Sequence, residues 1–256
     1  MNNILALAQK ELRAYFVSPM AYALFGFFAL LFGWFYVVGL DYMLQISMGQ
    51  FSQGGPQQVV NINEHMLRRL FGNTAFILLI MLPFLTARAY AEEKRSGTIE
   101  LLLTSPISDV QIIMGKFLGA MTLYTMMLGI TLVHIGILFW YGDPEWGPIV
   151  TGYLGLLLMG GSFISVGLAI SSLTNNQMVA GVSTFAVLLL FWVINWVGDA
   201  SGTTTQTVLS YLSILEHFDD FSKGVIDTSH VTYYVSFIAF GLFLTAKSLD
   251  TARWNG

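Results

Sequence analysis

The sequence predicts an all-α membrane protein, a bundle of six transmembrane helices, and three observations predict it. Of the 256 residues, 55% are hydrophobic and only 10% charged, where a soluble domain carries about 25% charged. Mean hydropathy is +0.67. The apolar residues fall in blocks close to the length of about 20 that crosses a hydrocarbon core. No intervening stretch is long enough for a separate soluble domain, so residues 1–256 read as a single transmembrane domain with lipid as its main solvent.

The chain opens on an amphipathic helix, residues 1–16. Asn2 or Asn3 can cap it, and Ile4, Leu5, Ala8, Leu12 and Tyr15 recur at helical spacing. Gln9, Lys10 and Arg13 lie off that stripe. Pro19 interrupts the helix before the first span, which favours a separate helix in the membrane interface over a plain extension of the span. The stretch Lys10, Glu11, Leu12 and Arg13 marks this interfacial helix. Spans are expected over residues 21–40, 71–87, 117–141, 149–173, 178–198 and 231–246.

The connections follow from their turn residues. Residues 41–70 are polar and hold Gly49, Gly54, Gly55 and Pro56, which reads as a loop. Residues 141–148 contain a tight Gly-Asp-Pro turn, and the polar turn 174–177 makes spans four and five an antiparallel pair. In residues 199–230, Val208, Tyr211, Leu212, Leu215 and Phe218 recur at helical spacing, the pattern of one short amphipathic helix against the outer membrane face. Small residues at Gly115 and Gly119, at Gly152 and Gly155, and at Gly160, Gly161, Ser165 and Ala169 suit close helix packing.

Lysine and arginine set the expected orientation. With six spans both termini share a side. That side carries Lys10, Arg13, Arg88, Lys94, Arg95, Lys116, Lys247 and Arg253, against Arg68, Arg69 and Lys223 on the other. Both termini are therefore expected in the cytoplasm, on a multi-pass protein of the bacterial cytoplasmic (inner) membrane. The net charge of −4 is small and decides little, and the lack of a basic cluster argues against nucleic acid as a partner. The absence of cysteine excludes disulfides and thiolate metal sites.

The cytoplasmic stretch of residues 88–116 is the densest in pattern. The second span is expected to continue as a charged helix, Arg88 to Arg95, and Gly97 suits the left-handed position that ends it. Thr98 can cap a short helix from Ile99 to Thr104, stopped by Ser105-Pro106. Ser108 and Gln111 form a capping box that opens the third span. The short helix is rich in apolar residues, Ile99, Leu101, Leu102 and Leu103. Such a helix either meets a partner surface or lies back on lipid, and its own residues leave both readings open.

The run Glu92-Glu93-Lys94-Arg95-Ser96-Gly97-Thr98-Ile99-Glu100-Leu101-Leu102-Leu103-Thr104-Ser105-Pro106, followed by Gln111 and Gly115-Lys116-Phe117, resembles the first cytoplasmic loop of ABC-2-type permeases. It is most similar to the gliding-motility-associated branch and less so to the permease of nitrous-oxide-reductase maturation. Residues 211–227 and 244–249 resemble the same branch, and Lys10-Glu11-Leu12 with Pro19 resembles the family's interfacial helix. The resemblance implies a coupling helix at Thr98 to Thr104, flanked by Glu92, Glu93, Lys94 and Arg95, that docks on a separate ABC ATPase subunit. It implies a second permease subunit, identical or related, and an auxiliary membrane or periplasmic protein as a further partner. It also implies an outer helical hairpin within residues 199–230. No cofactor is expected on this chain. ATP and Mg would sit on the partner ATPase, since the sequence has no G-x-x-x-x-G-K-[ST] loop.

No H-E-x-x-H or G-x-S-x-G motif supports a hydrolytic enzyme. Two other classes stand beside the exporter: an ATP-independent membrane scaffold, and an ion-coupled secondary transporter. The latter tends to use acids at mid-membrane, and the spans hold only His134. A histidine bonded to a neighbouring helix is the plainer reading of His134. Arg68 and Arg69 suit headgroup phosphates or an anionic substrate. Glu216, His217, Asp219 and Asp220 fit no standard metal-ligand spacing and read as a solvated face, and no metal is expected. Asn195 with Trp192 and Trp196 reads as an aromatic belt.

Overall fold

A computed structural model describes residues 2–52, 61–199 and 203–254, and they are helical throughout apart from turns. Ten α-helices follow in order: α1 (Asn2–Val17), α2 (Pro19–Ser52), α3 (Arg68–Arg95), α4 (Ile99–Leu103), α5 (Asp109–Tyr141), α6 (Trp146–Ser171), α7 (Gln177–Asp199), α8 (Thr203–Leu212), α9 (Ile214–Ser222) and α10 (Thr228–Trp254). A π-helical turn, Asn63–Leu67, leads into α3. Six helices, α2, α3, α5, α6, α7 and α10, are long and apolar enough to cross a membrane. α1, α4 and the last turns of α10 lie at one end of the bundle, called here the basal end. The π-turn, α8 and α9 lie at the opposite, distal end.

The bundle is built around α3 and α6. In each, 72% of the apolar stretch is enclosed by other helices, against 17% in α2 and α10. The reason is the run of small residues on α6. A side chain at Gly152 would meet the Phe71 ring of α3 at 2.5 Å, and one at Gly155 would meet Phe221 of α9 at 2.7 Å. At Gly160 the space is filled by Tyr124 of α5, whose hydroxyl donates to the Leu156 carbonyl at 2.5 Å, and at Gly167 by Thr86 of α3. Large side chains of the neighbours thus enter the notches that glycines leave, which is how membrane helices gain contact without a hydrophobic driving force.

Several expectations are corrected. The helix of the first span runs past Leu40 to Ser52, because Asp41 and Gln45 bond to each other one turn apart (2.7 Å) and keep polar residues on the helix. Of the glycines and proline assigned to the following loop, Gly54, Gly55 and Pro56 lie outside the described residues, and Gly49 falls within α2. Pro83 sits inside α3, where neighbouring helices make a helix-breaker tolerable. Residues 203–222 form two helices, not one, because the Ser213 hydroxyl accepts from the Glu216 amide and starts a new helix. Thr98 does not cap α4. Its backbone is already helical, and its hydroxyl turns back to the Glu93 carbonyl and Ser96. Gly97 does take the left-handed conformation, φ +71°, and Ser108 with Gln111 forms the full capping box. The side chains of Asn195 and Trp196 lie outside the described residues.

Candidate functional site

The basal end gathers the residues singled out in the α3–α5 connection. The stalk of α3 reaches Arg95, Ser96 and Gly97 turn the chain, and α4 lies across before Pro106 and Ser108 return it to α5. Glu92, Arg95, Gly97, Thr98, Glu100, Leu101, Thr104 and Pro106 are exposed, and Glu93 and Lys94 are half-buried. The four apolar residues of α4 do not share one outlook. Ile99 and Leu102 turn inward and pack against the protein's own core together with Ile107. Leu101 points away, 73% exposed. The side chain of Leu103 lies outside the described residues. The apolar outer face assigned to Ile99, Leu101, Leu102 and Leu103 therefore reduces, among the described side chains, to Leu101, with Val110 of α5 exposed beyond it.

Behind α4 lies a charged centre that the sequence did not disclose. Lys116 of α5 is 3% exposed, and its Nζ sits 2.9 Å from Glu11 Oε1 of α1 and 2.9 Å from Glu93 Oε1 of α3. The same ammonium donates to the Ala89 carbonyl at 2.7 Å and lies 5.0 Å from the centre of the Tyr90 ring. Three donors are thus spent on three acceptors from two other helices, as a buried ammonium requires. The site had one visible hint, a lone lysine opening an apolar span. Its partners stand far away in sequence, Glu11 at a separation of 105.

α1 owes its position to this centre and to glycine. A side chain at Gly115 would meet Leu7 Cβ at 2.5 Å, and one at Gly119 would meet Glu11 Cβ at 2.8 Å. α1 therefore lies directly along α5, and these two glycines serve that contact. Its buried face is Leu7 and Tyr15, whereas Leu5, assigned to the apolar stripe, is 61% exposed. Lys10 and Arg13 are exposed, and Leu12 packs partly against the core. The Tyr15 hydroxyl donates to the Leu85 carbonyl at 3.3 Å, with the Arg88 guanidinium 4.4 Å from its ring centre. Burial pushes the Tyr15 phenol well up, and Glu11 adds to that.

A second junction ties the stalk of α3 to α6 and α10. The Ser171 hydroxyl donates to the Ala87 carbonyl (2.8 Å) and accepts from the Tyr90 and Ala91 amides (both 3.1 Å). Beside it, the Ser172 carbonyl accepts from Lys94 Nζ (2.5 Å) and from the Ser248 hydroxyl of α10 (3.0 Å). About two turns of α3, from Ala87 to Lys94, are gripped on one side through Lys116 and on the other through Ser171 and Ser172.

The distal end has its own network. Arg68 does not stand free for a headgroup or substrate: it bonds Asp219 through Nε (3.1 Å) and Nη2 (2.6 Å). Arg69 stacks 4.1 Å from the centre of the Tyr42 ring. Lys223 bridges Asp219 (2.6 Å) and Asp220 (3.1 Å). Burial would raise the Asp219 carboxyl, but the bonds from Lys223 and Arg68 outweigh it and hold it below the usual range. His230 and Lys223 do the same for Asp220. His217, read as part of a solvated face, is buried, with Nδ1 2.6 Å from His230 Nδ1 and Nε2 donating to the Tyr211 carbonyl at 2.9 Å. His134 in α5 is packed edge-on by Phe32 (5.2 Å) and Tyr36 (5.1 Å) of α2, and its Nδ1 has no hydrogen-bond partner among the described residues. Aromatic packing, not a bond to a neighbouring helix, holds it.

Comparison with known proteins gives this architecture its place. Residues 5–248 match the family described as ABC-2 family transporter protein. A relative from Escherichia coli (strain K12), the probable multidrug ABC transporter permease YbhR, is 30% identical over 156 residues, and the same holds for its counterpart in Escherichia coli O157:H7. That match covers 59% of this chain and spans 41% of the relative's length. Six membrane-crossing helices and a family match across nearly the whole sequence agree, and the chain belongs to the ABC-2 family of transporter proteins as a multi-pass membrane permease.

Proposed function

We propose that this chain is the membrane-spanning subunit of an ATP-driven exporter and that α4 docks it on a separate ATPase subunit, which carries the ATP and Mg. Two such subunits, identical or related, would enclose the translocation path. The basal end would face the cytoplasm of a bacterium, at its inner membrane, in keeping with the excess of lysine and arginine there. The likeness of Glu92 to Pro106 and of residues 211–227 to the gliding-motility-associated permeases is what supports assigning it to that branch. Whatever periplasmic or membrane partner assists would meet the distal end.

One observation carries this reading. The exposed Leu101 sits on a short helix whose inner side, Ile99 and Leu102, is keyed into the core, and at the base of the α3 stalk that leads to it Lys116 links α1, α3 and α5. A push on α4 cannot be absorbed by a loose loop. It passes into the α3 stalk, then through Lys116 to α1 and α5, and through Ser171 and Ser172 to α6 and α10. Packed elements of this kind transmit displacement because interiors are close-packed and change between discrete arrangements.

The test is co-purification of the tagged chain from its own membranes in a mild detergent, with mass spectrometry of what accompanies it. An ABC ATPase should accompany the wild type and be lost with Leu101→Asp, whose side chain touches little of the protein itself. Full retention of the ATPase by that variant would place the docking surface elsewhere. An absence of any ATPase across several mild detergents would favour the scaffold.

A further inference from the structure

A cleft of about 700 Å³ opens between α6, α7 and α10 on the side of the bundle away from Lys116. That volume is in the range of ligand pockets. Its floor is α6, which packs against both α7 and α10. Its upper end is closed where Phe191 of α7 meets Phe237 of α10 edge to face, ring centres 5.2 Å apart. From there to the basal end its lining is apolar, with Ile170 of α6 and Leu244 of α10 among it.

The basal mouth is different in kind. Lys94 and Lys247 both line it, with the hydroxyl residues Ser172, Ser248 and Thr251, and among the described residues no carboxylate lines it. Lys94 is anchored on the Ser172 carbonyl (2.5 Å), and Asp250, which stands outside the lining, is 3.8 Å from Lys247. Lys247 itself is 64% exposed. Two ammonium groups and three hydroxyls at the mouth of an apolar slot match a molecule with an acyl tail and an anionic head. A lysine at the end of a span commonly reaches the headgroup layer on its own. Here, however, one of the two is held by the fold at the rim of a preformed cleft, which fixes where the head must sit.

We propose that this cleft is a binding site for an anionic phospholipid. An acyl chain runs along α6 as far as the Phe191–Phe237 pair, and the phosphate sits between Lys94 and Lys247. The site lies within one subunit and needs no ATPase, so it stands whether or not the docking surface is placed correctly. With the basal end in the cytoplasm, as proposed above, the lipid comes from the inner leaflet.

The experiment is native mass spectrometry of the purified full chain, titrated with phosphatidylglycerol or phosphatidylcholine of matched acyl chains, with glycerol 3-phosphate as a head-only control. At roughly a fivefold gain per lysine near an anionic group, the wild type should prefer phosphatidylglycerol by about thirtyfold. Lys247→Glu, a change at an exposed position that leaves the fold intact, should abolish that preference. Lys94→Gln should reduce it about fivefold, and glycerol 3-phosphate should not compete. Equal retention of both lipids by the wild type, or an unchanged preference in Lys247→Glu, would overturn the proposal in favour of an ordinary lipid annulus. Competition by glycerol 3-phosphate would overturn the acyl part. Since the chain has no native cysteine, Phe240→Cys supplies a further check: efficient disulfide dimers in a membrane would show a second copy covering the cleft and would also overturn it.

Discussion

Lys116 Nζ lies 2.9 Å from Glu11 and 2.9 Å from Glu93, so one buried ammonium joins the N-terminal helix to the bases of two spans. The centre holds two carboxylates for one cation, and Glu93 Oε2 is buried without a hydrogen-bond partner among the described residues. Removing the cation should therefore hurt far more than removing one acid. Lys116→Met leaves two carboxylates buried against each other and should cost about 3–5 kcal/mol, read as a lowered midpoint of unfolding in detergent. Glu93→Gln keeps the Glu11 and Ala89 bonds and should cost about 1 kcal/mol. Equal effects of the two substitutions would show that the centre is not organised around Lys116.

The Ser171 junction makes a separate prediction. Ser171→Ala removes one donor to Ala87 and the acceptor of two amides at a fully buried position. A loss of about 1–3 kcal/mol is expected, the cost of leaving buried polar groups unsatisfied. Hydrogen exchange at Tyr90 and Ala91 should rise in the same variant. Unchanged exchange there would mean that the α3 backbone satisfies those amides by itself.

The distal end should loosen in mild acid. Burial comes first among the causes that hold the His217 imidazole below its ordinary value of 6.5, the Tyr211 carbonyl opposes it, and His230 adds to it. The unfolded chain thus takes up this proton more readily than the folded one, and stability falls as pH drops below about 6.5. In structural terms His217 Nδ1 lies 2.6 Å from His230 Nδ1, so charging both rings sets two like charges within hydrogen-bond distance. His230 in turn meets Asp220 at 3.0 Å and feels the Asp227 charge, while Lys223 ties Asp220 to Asp219 and Arg68 holds Asp219. Asp219 and Asp220, held below 3.8, keep their charge through this window and lose it only in stronger acid. Hydrogen exchange of the α9–α10 turn should therefore increase between pH 7 and pH 5 in the wild type, and His217→Phe should flatten that dependence. A wild-type profile that is flat over this range would refute the clasp.

What could be read from the sequence was what depends on near neighbours. Six spans were legible because each is a block of apolar residues, and the stop at Gly97 because the left-handed conformation is cheap for glycine. The capping box at Ser108 and Gln111 needs only a three-residue spacing. The continuation of α2 beyond Leu40 was hidden because a polar residue in a long helix looks like a loop until its partner one turn away is seen. The Lys116 centre was hidden because it joins residues from three helices. So was the division of α4 into an inner and an outer side: Ile99 and Leu102 stand three apart and share the inward face, a choice the core makes and composition does not.

If α4 meets an ATPase subunit through Leu101, as proposed, a thiol placed there will lie beside that subunit. The chain has no native cysteine, so Leu101→Cys carries a unique thiol, and a thiol-directed cross-linker of short reach can report its neighbour in intact membranes. The account predicts a cross-linked product containing an ABC ATPase from Leu101→Cys, and none from Trp140→Cys at the distal end of α5. A product from Trp140→Cys with none from Leu101→Cys would contradict both the docking surface and the orientation of the chain.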